Sequence, residues 1–154
     1  MESVKVLLVE DSKRDRVDLV NRLAACRQYH FTVVETCSLA EALSAMDSER
    51  FHVVLLDLNL PDSNMTKSLT AIRSREDSPP VVVVTGTDDD IVFKYAVQHG
   101  ADDFIVKDSY DLRRLCRALV CAILQNENSR KFRIANLQLR KAIDGLSEMA
   151  RRMD

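Results

Sequence analysis

Apolar residues gather into five short runs: VKVLLV at 4–9, FTVVET at 31–36, FHVVLLDL at 51–58, VVVV at 81–84 and FIV at 104–106. Each has the length of a strand. Their near-continuous Val, Ile and Leu content, without polar alternation, predicts strands covered on both faces, as in a parallel sheet between two helical layers. The intervening segments carry helical spacing instead. Ser12-Lys13-Arg14-Asp15 has capping-box form and precedes Val17, Val20, Leu23 and Ala24, and Ser38-Leu39-Ala40-Glu41 repeats it before Ala42, Leu43 and Met46. Further helices are expected over about 65–75, about 88–99 ending at Gly100, and from about 110 onward, where Leu112, Leu115, Leu119 and Ile123 keep helical spacing. The pattern is (βα)5, a doubly wound α/β fold around a five-stranded parallel sheet.

The polar run Gln125-Asn126-Glu127-Asn128-Ser129 then interrupts the apolar pattern without proline or glycine, so the last helix is expected to continue through it. This places a body at 1–124 and a helical extension at 125–154. Within the extension Phe132, Ala135, Leu139, Ala142, Leu146, Met149 and Met153 alternate spacings of three and four, the signature of a coiled-coil seam. A helix from about 110 to 152 would be about 64 Å long, and such a stripe calls for a partner. A parallel homodimer is the expected one. Ala135, Ala142 and Gly145 weaken the seam, because small residues bury little and a mid-helix glycine costs about 1 kcal/mol; folding back on the body, or fraying, is the other reading.

The chain of 154 residues suits one domain with appendages. Its 22 basic and 24 acidic residues give no whole-chain reason to expect binding to nucleic acid or membrane. The distribution is uneven, with 7 basic and 4 acidic residues over 125–154 and 15 basic and 20 acidic over 1–124. An acidic body is one that a cation could serve. No apolar run is long enough to span a bilayer and MESVKVLLVE lacks a signal-peptide pattern, so a cytoplasmic protein is expected. Cys26, Cys37, Cys116 and Cys121 lack metal-site spacing and read as buried free thiols. His30, His52 and His99 are far apart in sequence and read as surface or half-buried side chains.

In open α/β sheets, ligands bind beyond the carboxyl ends of the strands where the order reverses, which for a 2-1-3-4-5 order lies between the first and third strands. Glu10 and Asp11 end the first strand and Asp57 the third. Three converging carboxylates repel unless a cation sits among them, and an all-oxygen donor set suits Mg²⁺ or Mn²⁺. Thr85 closes the fourth strand and Lys107 the fifth, adding a hydroxyl and an ammonium to the same rim. Carboxylate, metal, ammonium and hydroxyl are the parts an aspartyl nucleophile needs to take a phosphoryl group. Any one such residue is more often a solvated loop charge; five at the ends of four strands weaken that reading.

At these residues the chain resembles the receiver family of two-component signalling, over about 4–124. LLVEDS at 7–12 is similar to the acidic-pair motif, LLDLNLPD at 55–62 to the phosphoacceptor motif, VVTGT at 83–87 to the strand-four Thr motif and GADDFIVK at 100–107 to the final lysine motif. The resemblance implies a flavodoxin-like sheet of order 2-1-3-4-5, and a phosphoacceptor at Asp57 charged by a histidine kinase or phosphotransfer protein. It also implies Asp11, Asp57 and the Asn59 carbonyl as Mg²⁺ ligands, Glu10 acting through water, and Thr85 and Lys107 on the phosphoryl oxygens. The family's switch aromatic falls at Phe104, which would turn inward when Thr85 moves; permanent core is the plainer reading of that side chain. Asn59 and Thr87 fall where the family tunes phosphoryl lifetime.

Two positions depart from the family. Met65 stands where a glycine is usual, so the turn into the third helix cannot rely on positive φ. Asp108 replaces the proline after the lysine, and because a non-proline cis bond costs about 3 kcal/mol the bond is expected trans. Ala150-Arg151-Arg152-Met153-Asp154 resembles the entry to a GGDEF-type diguanylate cyclase, which, like any other output domain, would lie beyond this chain. No enzyme activity is expected of the chain apart from self-dephosphorylation. A haloacid-dehalogenase-type phosphatase would need its nucleophile on the first strand and Asp two residues later, where Asn59 stands. An interaction module that keeps the fold without phosphorylation is the remaining alternative.

Overall fold

β-Branched and leucine-rich runs form five parallel strands, β1 (Glu2–Val9), β2 (Tyr29–Thr36), β3 (Val53–Asp57), β4 (Val81–Thr85) and β5 (Asp103–Val106), in the order β2-β1-β3-β4-β5. They come from a computed structural model that describes residues 2–86, 88–107 and 111–153. The helices are α1 (Lys13–Ala24), α2 (Leu39–Ser48), α3 (Met65–Arg73), α4 (Asp90–Gln98) and α5 (Leu112–Arg152). This is the expected (βα)5 flavodoxin-like sheet with a long last helix. Residues Met1–Ile123 and Leu124–Asp154 form two compact units.

Strand pleating divides the core in two. Val4, Val6 and Leu8 of β1, Leu55 of β3, Val82 and Val84 of β4 and Ile105 of β5 pack with Leu19 and Leu23 of α1 and with Leu115 and Leu119 of α5. Leu7, Val9, Leu56, Val83 and Phe104 point the other way, toward Leu39 and Ala42 of α2, Leu69 and Ile72 of α3 and Ala96 of α4. β3 and β4 are buried along their whole length, as continuous apolar runs require. β2 departs from that expectation: at the sheet edge it buries only Phe31 and Thr36.

Local chemistry sets the helix starts. The Ser12 and Ser38 side chains accept from the amides of Asp15 and Glu41, as their capping boxes predict. In α1 the buried positions are Leu19 and Leu23; Val17, expected inward, is 47 % exposed and Ala24 is exposed as well. Met65 poses no backbone problem, because it is the first residue of α3 and Asn64 ahead of it caps the helix at φ −119, accepting from Lys67 N. Gly100 ends α4 with φ +106, a left-handed turn that favours glycine.

The thiols differ from expectation. All four cysteines are free, but Cys116 alone is buried; Cys26 and Cys37 are half-buried and Cys121 is exposed, since it falls on the outer side of α5. His30 and His52 are exposed, and half-buried His99 stacks on Tyr95. Over 124–153 the expected seam residues are exposed, among them Phe132, Leu139, Leu146, Met149 and Met153. Ile134, Leu137 and Ile143 are exposed too; at 100° per residue Ile143 borders the seam, while Ile134 and Leu137 fall outside it. Among the described residues no helix is long and apolar enough to cross a membrane.

Leu119 is fully buried between α5 and the sheet. Leu119→Ala is expected to lower unfolding free energy by about 2–5 kcal/mol in urea titrations.

Candidate functional site

Sheet register builds a staircase of polar residues. Val9 pairs with Leu56, so Glu10 and Asp57 stand level just beyond them. Asp57 pairs with Val84, which sets Thr85 one step further, and Thr85 pairs with Val106, which sets Lys107 one step further again. The Lys107 amide donates to the Thr85 carbonyl at 2.7 Å, holding the last step in place. Glu10, Asp57 and Thr85 are buried, with 1 %, 3 % and 3 % exposure, and Asp11 is exposed.

Carboxylate oxygens of Glu10, Asp11 and Asp57 lie within 4.8 Å of one another. The Lys107 ammonium is 3.0 Å from Glu10 Oε2, 2.9 Å from Asp15 Oδ2 and 3.5 Å from Asp57 Oδ2. Glu10 Oε1 accepts from the Ser12 amide at 3.0 Å, while the buried Oε2 lies in ion-pair range of Lys107 but has no hydrogen-bond partner. Burial first, and then the Asp57 carboxyl beside it, push the Glu10 pKa up to about 7 against the pull of Lys107 and the Ser12 amide. Burial alone would lower the pKa of Lys107; its hydrogen bond to Asp15, its close contact with Glu10 and the charges of Asp57 and Glu10 outweigh that and raise it.

Three acidic side chains with one poorly satisfied buried oxygen, and no His or Cys among them, fit a hard divalent cation. Beside them opens a cavity of about 470 Å³ whose walls include Asp11, Asn59, Met65 and Thr85. The Asn59 amide donates to Asp57 Oδ1 at 3.1 Å, which orients the carboxylate. Phe104 is buried and meets Phe93 edge-on, ring centres 5.6 Å apart. Six of the seven residues singled out from sequence, Glu10, Asp11, Asp57, Asn59, Thr85 and Lys107, fall at one end of the sheet, whereas Phe104 lies within β5, paired with Val83 and buried in the core beside α4. Thr87 and the Lys107–Asp108 bond lie outside the described residues.

Three further residues support this site and were not singled out. Asp15 takes the Lys107 ammonium from the first turn of α1. Arg16 donates to the carbonyls of Glu10 at 3.0 Å and Asp11 at 3.3 Å, bracing the β1–α1 turn. Asp62 accepts from the amides of Leu39 at 3.0 Å and Ala40 at 3.1 Å, and these bonds hold its pKa below the usual carboxylate range. Only Asp62 carried a signal, as the last letter of LLDLNLPD.

Residues 6–120 match the family model of the response regulator receiver domain, and the chain belongs to that family. It is a receiver domain of two-component signalling. It is 32% identical over 110 residues to the TorCAD operon transcriptional regulatory protein TorR of Escherichia coli (strain K12), covering 71% of this chain and 46% of that protein. It is 28% identical over 143 residues to the C4-dicarboxylate transport transcriptional regulatory protein DctD of Rhizobium meliloti (strain 1021), covering 93% of this chain and 29% of that one. The chain therefore spans less than half the length of these relatives. Among solved structures, the receiver domain of sensor histidine kinase PA1611 from Pseudomonas aeruginosa PAO1 shares the fold with a TM-score of 0.69 at 21% identity, over 79% of this chain and 98% of that one. That structure has a magnesium ion coordinated in its active-site cleft.

With its folded-state pKa raised from 4.5 to about 7, Glu10 binds a proton more tightly in the folded chain than in the unfolded one. Its contribution to stability is complete below the lower value and lost as pH rises through about 7. Without divalent cations, the stability difference between parent and Glu10→Gln should shift toward the variant across that window, by a few kcal/mol at most. Denaturant titrations at several pH values check this.

Proposed function

We propose that this receiver domain is a phosphoacceptor switch in which Asp57 takes a phosphoryl group from a histidine kinase or phosphotransfer protein. The observation that carries the reading is the buried Asp57 carboxylate at the end of β3, with Glu10 and Asp11 on one side and Lys107 and Thr85 on the other. An Asp57 oxygen forms the new bond to phosphorus as the P–N bond to the donor imidazole breaks, and the imidazole nitrogen keeps the electron pair. The Asn59 amide holds the other rotamers of the carboxylate in check. Lys107 balances charge on the incoming oxygens, and the Thr85 hydroxyl donates to the acylphosphate.

Asp11, Asp57 and the Asn59 carbonyl would hold Mg²⁺, with Glu10 acting through water; the ion would offset the charge that builds on the transferring oxygens. Mn²⁺ fits the same donors. The division into two compact units, Met1–Ile123 and Leu124–Asp154, supports a boundary near 124 between the receiver and a helical linker of 125–154. The partly packed Phe104–Phe93 pair supports readout by packing across α4, β5 and the first turns of α5, and the linker would carry that change to an output domain outside this chain. A cytoplasmic setting suits such a relay, and the chain itself serves as a switch and not as an enzyme.

Incubation with acetyl phosphate and Mg²⁺ should add one phosphoryl mass to the parent and none to Asp57→Asn, whose amide is a poor nucleophile. Fluoroberyllate binding by the parent, followed by protection against thermal unfolding, excludes mere lability of the adduct. A modified Asp57→Asn would move the site elsewhere, and a parent that takes neither reagent would favour a phosphorylation-independent interaction module.

The exposed apolar stripe at Phe132, Leu139, Leu146 and Met149 supports a parallel homodimer. Light scattering is expected to give a dimer mass for the full chain and a monomer mass for Leu139→Asp combined with Leu146→Asp.

A further inference from the structure

A second cavity, of about 650 Å³, opens in the receiver body where the end of α1 and the start of β2 meet the first turns of α5. Its apolar walls are Leu112, Val120, Tyr29 and the thiols of Cys26 and Cys116. Arg27, Arg113 and Arg117 also line it, and no carboxylate joins them among the described residues. All three arginines are exposed, and among the described residues none has an ion pair or hydrogen bond. Among the described residues Arg14 and Arg50 of the body are likewise without a partner, but neither lines this cavity. Arg114, their neighbour on α5, is held by both oxygens of Asp103, and Arg16, Arg22, Arg73 and Arg75 each have an acidic partner. The body is also acidic overall, with 20 acidic and 15 basic residues over 1–124, so three unanswered guanidinium groups on one cavity run against its composition.

The buried Cys116 thiol does not supply the missing negative charge at the floor. Burial, and then the neighbouring Cys26, push the Cys116 pKa up to about 12, so that thiol stays neutral. The cavity therefore offers an apolar floor and a cationic rim. Its volume lies within the roughly 300–1,000 Å³ that small organic ligands occupy, and a few polar groups on an apolar lining are what such sites present. Unpaired guanidinium groups favour a carboxylate, sulfonate or phosphate on that ligand.

We infer that the α1–β2–α5 cavity is a binding site for a small amphipathic organic anion, with Arg27, Arg113 and Arg117 taking the anionic group and Leu112, Tyr29 and Val120 the apolar body. The site is separate from the carboxylate cluster, and its occupancy does not depend on Asp57.

The test uses the full chain and two probes: 8-anilinonaphthalene-1-sulfonate, an aromatic body with one anionic group, and neutral N-phenyl-1-naphthylamine. The sulfonate should bind more tightly than the neutral probe and slow N-ethylmaleimide alkylation of Cys26, followed by peptide mass. Arg113→Gln combined with Arg117→Gln should weaken sulfonate binding about tenfold or more and leave the neutral probe nearly unchanged. Arg27→Gln, on another element, should weaken it in the same sense, so a folding defect on α5 cannot mimic the result. Equal affinity for the two probes, undiminished sulfonate binding in the arginine variants, or unchanged Cys26 reactivity would overturn the assignment. The Asp57→Asn variant should bind the sulfonate like the parent, which separates this outcome from the fate of the phosphoacceptor reading.

Discussion

The arrangement at the carboxyl end of the sheet depends on one shared cation. Glu10 and Asp57 are buried side by side, and two carboxylates that close repel each other in a site that water barely reaches. Lys107, reaching back from the end of β5, is the charge that makes this burial tolerable, and Asp15 fixes the ammonium from the far side. At 3.5 Å from Asp57, against 3.0 Å from Glu10 and 2.9 Å from Asp15, the lysine is engaged more closely with its supports than with the central aspartate. A second positive charge entering the cluster would relieve both the repulsion and the raised proton affinity of Glu10. Cation binding and the ionisation of Glu10 are thus linked.

Much of this was legible from the chain because sheet geometry converts strand ends into a site. β3 and β4 close on Asp57 and Thr85, Glu10 and Lys107 directly follow β1 and β5, and parallel pairing with the observed register brings those ends together. Glu10, Asp11, Asp57, Thr85 and Lys107 could therefore be picked out by position alone. Asp15 and Arg16 could not, since acidic and basic residues in the first turn of a helix usually face solvent, and only the three-dimensional turn brings one to Lys107 and the other to two backbone carbonyls. Val17 misled for a related reason: apolar residues at 17, 20, 23 and 24 fit a helical stripe, but Leu19 and Leu23 define the face that meets the sheet. The order 2-1-3-4-5 put β2 at the sheet edge, but its partial exposure was hidden, because its Phe-Thr-Val-Val run reads like an interior strand.

Thiol burial shows the limit of composition. Interleaving with apolar residues suggested that all four cysteines would be inside, yet helical phase puts Cys116 in the core and Cys121 outside on the same helix. The same phase places Arg113 and Arg117 on the cavity rim and Arg114 against Asp103. Three arginines within five residues thus have two different jobs, one structural and the other still awaiting a counter-charge.

The two bonds from Asp62 to the start of α2 give the β3–α3 loop a mechanical tether. That loop contains Asn59, whose amide donates to Asp57, so the same few residues are fastened to the Asp57 carboxylate at one end and to a helix at the other. A displacement of the loop must either drag the first turn of α2 or break two charge-assisted bonds. The position of the Asp57 carboxylate is thereby tied through one loop to α2.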